Sequence, residues 1–157
     1  MRQRVYIETT IVSYLTARHS QDLIVAAHQQ ITREWWQTQR DKFDLFVSQL
    51  VIREVSVGDE EVAHRRVEAL EGVPLLELNQ EALLLAEDLI ARGPLPRKAA
   101  EDALHIAIAT VHGMDYLLTW NCKHIANAKM RSQIESICRS RGYEPSIICT
   151  AEELLEE

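Results

Sequence analysis

Val5-Tyr6-Ile7-Glu8-Thr9-Thr10-Ile11-Val12-Ser13 is a short β-branched and aromatic run that meets an acid and then two hydroxyl residues. Three consecutive apolar residues without polar alternation fit a strand covered on both faces, as in the middle of a parallel sheet. The strand is expected to end at Glu8, with Thr9 or Thr10 capping a helix through Ile11, Val12, Tyr14 and Leu15. The same alternation continues outward. Residues 21–40 carry Leu23, Ala26, Ala27 and Ile31 at helical spacing, with Trp35-Trp36 near the end. Phe43 to Val47 reads as a second strand, and Ser48 as the cap of the helix after it. Gly58-Asp59 breaks that helix and opens another whose apolar face is Val62, Ala63, Val67 and Leu70. A short strand is expected over Leu75–Leu78. Asn79 then caps a helix through Ile90, stopped at Arg92-Gly93-Pro94. A strongly apolar helix from about Lys98 to His112 precedes a strand over Tyr116–Thr119. A helix from about Met130 to Arg141 and a strand over Ser146–Cys149 follow, and Thr150-Ala151-Glu152-Glu153 looks like a capping box for a final short helix. Strands alternating with helices imply an α/β domain with a mostly parallel sheet.

The 157 residues suffice for one domain with a substantial core, so residues 1–157 are read as a single unit. No apolar run approaches the ~20 residues of a membrane helix, and an acid at position 8 interrupts the start before a secretory leader could form. Cys122, Cys138 and Cys149 are odd in number, widely spaced and without a Cys-x-x-Cys pair, as expected of reduced thiols in a cytoplasmic protein. The net charge of −7 argues against a module that coats nucleic acid by neutralising phosphates. It is compatible with an enzyme whose clustered acids hold divalent cations, which then supply positive charge at a phosphate. Part of the excess is a solvated acidic end: Glu152, Glu153, Glu156 and Glu157.

In open parallel sheets the site lies beyond the carboxyl ends of the strands. Glu8 ends the first strand, Asn121 follows the fourth, Glu54 lies on the helix directly after the second, and Asp102 sits near the start of a helix built largely of Ala, Leu and Ile. Each has an ordinary explanation too. Glu8 can be a half-exposed acid, Glu54 a surface partner of an arginine, Asp102 a first-turn acid or an i,i+4 partner of Lys98, and Asn121 a turn former. Glu101 is expected to face solvent, with Arg97 or His105 near it. His105, His112 and His124 read as helix-surface or substrate-facing groups rather than ligands. Oxygen donors without matched His or Cys pairs suit Mg²⁺ or Mn²⁺. No phosphate-cradling Gly-rich loop of the P-loop or dinucleotide-binding kind occurs.

Taken together, these segments resemble the PIN domain, and especially the VapC-type toxins of toxin–antitoxin pairs. Val5 to Ser13 looks like the family's opening strand and first acid, and Val47-Ser48-Gln49-Leu50-Val51-Ile52-Arg53-Glu54 like its second-acid helix. Asp102-Ala103-Leu104-His105-Ile106-Ala107 looks like the third-acid helix, and Asp115-Tyr116-Leu117-Leu118-Thr119-Trp120-Asn121 like the strand that delivers the fourth position. The family's first and fourth positions are usually Asp; here they are Glu8 and Asn121. The resemblance implies a three-layer α/β/α domain with a five-stranded sheet of order 3-2-1-4-5. It also implies an Mg²⁺- or Mn²⁺-dependent ribonuclease with Glu8, Glu54, Asp102 and Asn121 as catalytic and metal-holding residues. Thr9, Thr10, Thr119, Lys123 and Arg97, with Lys98 nearby, become the groups expected to meet substrate. The implied partners are RNA, an antitoxin and a second copy of the chain, with Trp35-Trp36 as one candidate interface patch. An inactive PIN-fold binding module is the alternative, and a phosphohydrolase of small esters a third class.

Overall fold

The computed structural model describes residues 1–155; the acidic pair Glu156-Glu157 lies outside them. Strand β1 (Gln3–Ile7) occupies the middle of the sheet. It pairs in parallel with β2 (Phe43–Ser48) on one side and β4 (Tyr116–Leu118) on the other. Strand β3 (Leu75–Leu76) lies outside β2 and β5 (Ile147–Cys149) outside β4, all parallel, giving the order 3-2-1-4-5. Val5, Tyr6 and Ile7 are fully buried, as an unbroken apolar run in a doubly covered strand should be.

Helices flank the sheet. Helix α1 (Thr9–Thr16) packs against α2 (Leu23–Thr38), α3 (Gln49–Val55) and α4 (Glu60–Ala69). Helix α5 (Gln80–Ala91) packs against α6 (Ala100–Val111) and α7 (Ala128–Ser140). Short polar side chains start these helices: Ser48, Asp59 and Asn79 accept the backbone N–H of Val51, Val62 and Ala82. Among the described residues no helix is long and apolar enough to cross a membrane.

Several boundaries differ from the sequence expectation for identifiable reasons. Glu8, not Thr9 or Thr10, holds the cap position of α1, and it makes no side-chain cap because its carboxylate is engaged elsewhere. Strand β3 stops at Leu76 rather than Leu78; the next carbonyl, of Glu77, is taken by His112 Nε2 at 2.7 Å. A 3-10 turn over Arg97–Ala99 precedes α6, and Asn127 starts α7 earlier than expected by accepting the Lys129 N–H at 2.9 Å. Only half of the terminal capping box forms: Glu153 accepts the Thr150 N–H at 2.9 Å, and a single 3-10 turn follows. Trp35 is core, fully buried and stacked 5.9 Å from Phe43, whereas Trp36 is half-buried beneath the Arg40 guanidinium, 4.1 Å away.

Two outcomes test this packing. Cys138 and Cys149 are buried, with thiols pushed up (Cys149 to about 12) by burial, while Cys122 is exposed. A thiol reagent should therefore modify one cysteine in the native protein and all three in denaturant; rapid native modification of a second would contradict the core. Gly93 marks the α5–α7 crossing. An added Cβ there falls inside contact distance of the Leu89 carbonyl oxygen and 2.7 Å from Ile137 Cδ1. Gly93→Ala should lower stability in urea by about 1–3 kcal/mol, and an unchanged midpoint would contradict the close approach.

Candidate active site

The register that pairs Ile7 with Leu118 sets the next residue of each chain side by side at the sheet's carboxyl edge. Glu8 follows β1 and Thr119 follows β4. Glu8 is 3% exposed. Its Oε1 accepts the Thr119 hydroxyl at 2.6 Å and the Thr10 hydroxyl at 2.5 Å. A carboxylate so nearly sealed from water needs such donors. Both fall on one oxygen, which leaves Oε2 as the atom Glu8 can offer to a cation. Thr10 is itself anchored, accepting the Trp120 N–H at 2.8 Å.

Thr119 carries the network onward. Its hydroxyl oxygen accepts the Asn121 N–H at 2.9 Å. The Asn121 side chain then donates to Asp102 Oδ1 at 2.9 Å, and His124 Nδ1 lies 3.0 Å from Asp102 Oδ2. The orientation of the Asn121 amide follows from its surroundings: Oδ1 accepts the His124 N–H at 3.1 Å, so Nδ2 faces the acid. Asn121 is therefore both the turn former that its position suggests and a neighbour of Asp102. Asp102 pairs with this loop rather than with Lys98.

Glu54 reaches the same edge from α3. It accepts the Thr9 hydroxyl, and its Oε1 lies 2.7 Å from His105 Nε2. The Glu101 carboxyl also lies near enough to act on it. Burial alone would raise the Glu54 carboxyl, but the interactions with His105, Glu101 and Thr9 outweigh it and bring the group down to about 2. Glu101 moves the other way: its interaction with Glu54, then burial, hold its proton above the usual carboxylate range. Glu101 is exposed, as expected, and from that position it interacts with Glu54. His105 departs from the surface role expected of it: it is 1% exposed and lies beneath Glu54.

The fold brings the four expected residues to one edge through two hydrogen-bonded groups, Glu8–Thr119–Asn121–Asp102 and Glu54–Thr9. The adjacency of Thr9 and Glu8 joins them. Lys123, Arg97 and Lys98 are exposed, and among the described residues none forms an ion pair with these acids. The sequence reading missed Tyr6, Ser48 and His105 as groups behind Glu54. Its available signal was a tyrosine inside a doubly covered strand, whose hydroxyl must find a partner.

No three Asp, Glu, His or Cys side chains among the described residues stand together as a ready-made metal cage. The donor chemistry nonetheless fits Mg²⁺ or Mn²⁺. These are hard cations that favour oxygen, and Mg²⁺ is typically held by one or two carboxylates with water completing its shell.

No family model and no curated protein matches this chain. Solved structures do. A chain of VapBC2 from Rickettsia felis, determined bound to a DNA fragment from its promoter, superposes with a TM-score of 0.60 at 13% identity, covering 94% of this chain and 98% of that one. Mycobacterium tuberculosis VapC20, described as a toxin that cleaves the sarcin-ricin loop, gives a TM-score of 0.60 at 15% identity over 78% of this chain and 93% of its own. The chain has a VapC-like PIN fold.

The acid pair yields a pH prediction for metal-free protein. Glu101 is raised above 4.5, so its contribution to stability is complete below that value and fades as pH rises through the folded value. Glu54 is lowered, so its contribution is present above 4.5 and fades as pH falls toward about 2. Glu101→Gln removes the titrating group and should flatten the decline above 4.5, measured as urea midpoints in chelator across pH; parallel profiles for the two proteins would contradict the raised Glu101 carboxyl.

Proposed function

We propose that this protein is a metal-dependent ribonuclease that hydrolyses phosphodiester bonds and acts as a VapC-like toxin restrained by an antitoxin. The observation that supports this is the placement of Glu8, Glu54 and Asp102 along the carboxyl edge of a VapC-like sheet, each held by neighbouring side-chain donors. These three acids would hold Mg²⁺ or Mn²⁺, directly or through water. The cation, when bound, lowers the pKa of the attacking water and offsets charge on the phosphate. Thr10 and Thr119 keep Glu8 pointed at the edge, and Thr9 does the same for Glu54. Asn121 fixes the Asp102 carboxylate and is at most a weak ligand, since its amide oxygen already serves the His124 N–H. Lys123 and Arg97, both exposed, are free to reach RNA phosphates. The VapC likeness supports RNA, an antitoxin and a second copy of the chain as partners, and a cytoplasmic setting.

A second reading has its own support. The neutral Asn121 and the lack of a ready-made cage favour a PIN-fold module that binds without cleaving. Mn²⁺ titration separates the two, because an inactive module should bind the ion too weakly to measure.

The test is cleavage of an RNA pool that includes a sarcin-ricin-type stem-loop, with Mg²⁺, with Mn²⁺ and with chelator. Wild-type protein should cleave only with metal, Asp102→Ala should not cleave, and Asn121→Ala should lose about 10–100-fold. Equal cleavage by wild type and Asp102→Ala would remove the assignment.

A further inference from the structure

Behind Glu54 a line of polar atoms runs into the middle of the sheet. Tyr6 lies on the central strand and is fully buried. Its hydroxyl is 2.7 Å from Ser48 Oγ and 2.7 Å from His105 Nδ1. His105 Nε2 in turn is 2.7 Å from Glu54 Oε1. At the far end, Ser48 Oγ accepts the Val51 N–H at 3.4 Å.

The two ends set the direction of every bond. The Glu54 carboxylate offers only lone pairs, so His105 Nε2 carries the hydrogen. The Val51 N–H can only donate, so Ser48 accepts there and its own proton is free for Tyr6. Tyr6 then donates its single O–H to the bare Nδ1. Each atom is satisfied with a neutral ring. Running the bonds the other way needs a second ring proton, and with it a full charge in the core.

We infer that Ser48, Tyr6 and His105 form a buried relay whose task is to aim the Glu54 carboxylate at the site. They are positioning residues: none is placed to touch substrate, and they act through Glu54. A purely packing role is a poor account of them. Two adjacent apolar side chains fill such a space without three polar atoms that each need a partner, and a half-satisfied network is worse than none. The relay also ends on a carboxylate whose side chain is 21% exposed, at the sheet edge, rather than on another core group. A group that orients a ligand carboxylate in this way typically alters metal affinity when removed.

The inference rests on the metal-dependent reading above, and Mn²⁺ binding to folded, metal-free protein tests the two separately. Wild type should bind Mn²⁺. His105→Leu should weaken binding by about 10–100-fold, with Tyr6→Phe, which leaves the ring hydrogen of His105 unconstrained, falling between. His105→Gln, whose amide can still donate to Glu54, should recover most of the loss, a rescue that packing alone does not predict. Ring ¹⁵N shifts give a metal-free check: Nε2 of His105 should be protonated and Nδ1 bare. Absence of Mn²⁺ binding by wild type would overturn both the function and the relay. Wild-type affinity in His105→Leu would overturn the relay alone, as would no rescue by glutamine. If His105→Leu does not fold, Tyr6→Phe and the ring shifts decide, and a proton resting on Nδ1 would overturn the relay.

Discussion

The Thr119 hydroxyl is the joint on which the site depends. It donates to Glu8 and accepts from the Asn121 backbone, and so ties the end of β1 to the loop that follows β4. That joint exists only because the two central strands run parallel in the register that sets Ile7 beside Leu118. A slip of one residue would exchange the faces of the slipped strand and take the hydroxyl away from the acid. The buried run Val5-Tyr6-Ile7 therefore does two things at once: it makes the core, and it places a nearly sealed carboxylate at a fixed height on the sheet edge.

Much of this was readable from local chemistry. Ser48, Asp59 and Asn79 stand as helix caps because a short polar side chain before an apolar periodic run has few other uses. The unbroken apolar strands signal a parallel sheet for the same reason that they end up buried. The strand order is different in kind. It depends on which surfaces meet across the whole chain, and the family resemblance supplied it. Two of the boundary differences share one cause: the competing partner was remote. Glu77 gives its carbonyl to His112, and Glu8 gives its carboxylate to Thr119.

The candidate site was legible as a set of residue types at strand ends, and illegible as a set of contacts. Nothing near Glu101 in the sequence indicates that it will lie near Glu54, which is separated from it by α4, β3, α5 and a 3-10 turn. His105 is a sharper case. A helix apolar on most of its faces leaves little surface for a histidine to occupy, and three positions from Asp102 lies on the same side of the helix. Read with Tyr6, a phenol in a covered strand, the pattern asks for two buried polar groups that satisfy one another. Only the fold shows that their line ends on Glu54.

Asn121 bears on how many cations the proposed reaction needs. Four carboxylates gathered at one edge repel each other, and a second divalent ion is one way to hold the last of them in place. Here the fourth position is neutral and donates directly to Asp102, while His124 lies against the other oxygen of the same acid. The repulsion a second ion would relieve is replaced by hydrogen bonds within the chain. The remaining like-charge neighbours, Glu54 and Glu101, differ in their hold on a proton: Glu101 is raised and Glu54 lowered. On the proposed reading, three acids, one of them backed by a buried histidine, would suit a single cation that keeps part of its water shell, and the bonds from Asn121 and His124 give a reason why an amide in place of a carboxylate leaves the edge ordered.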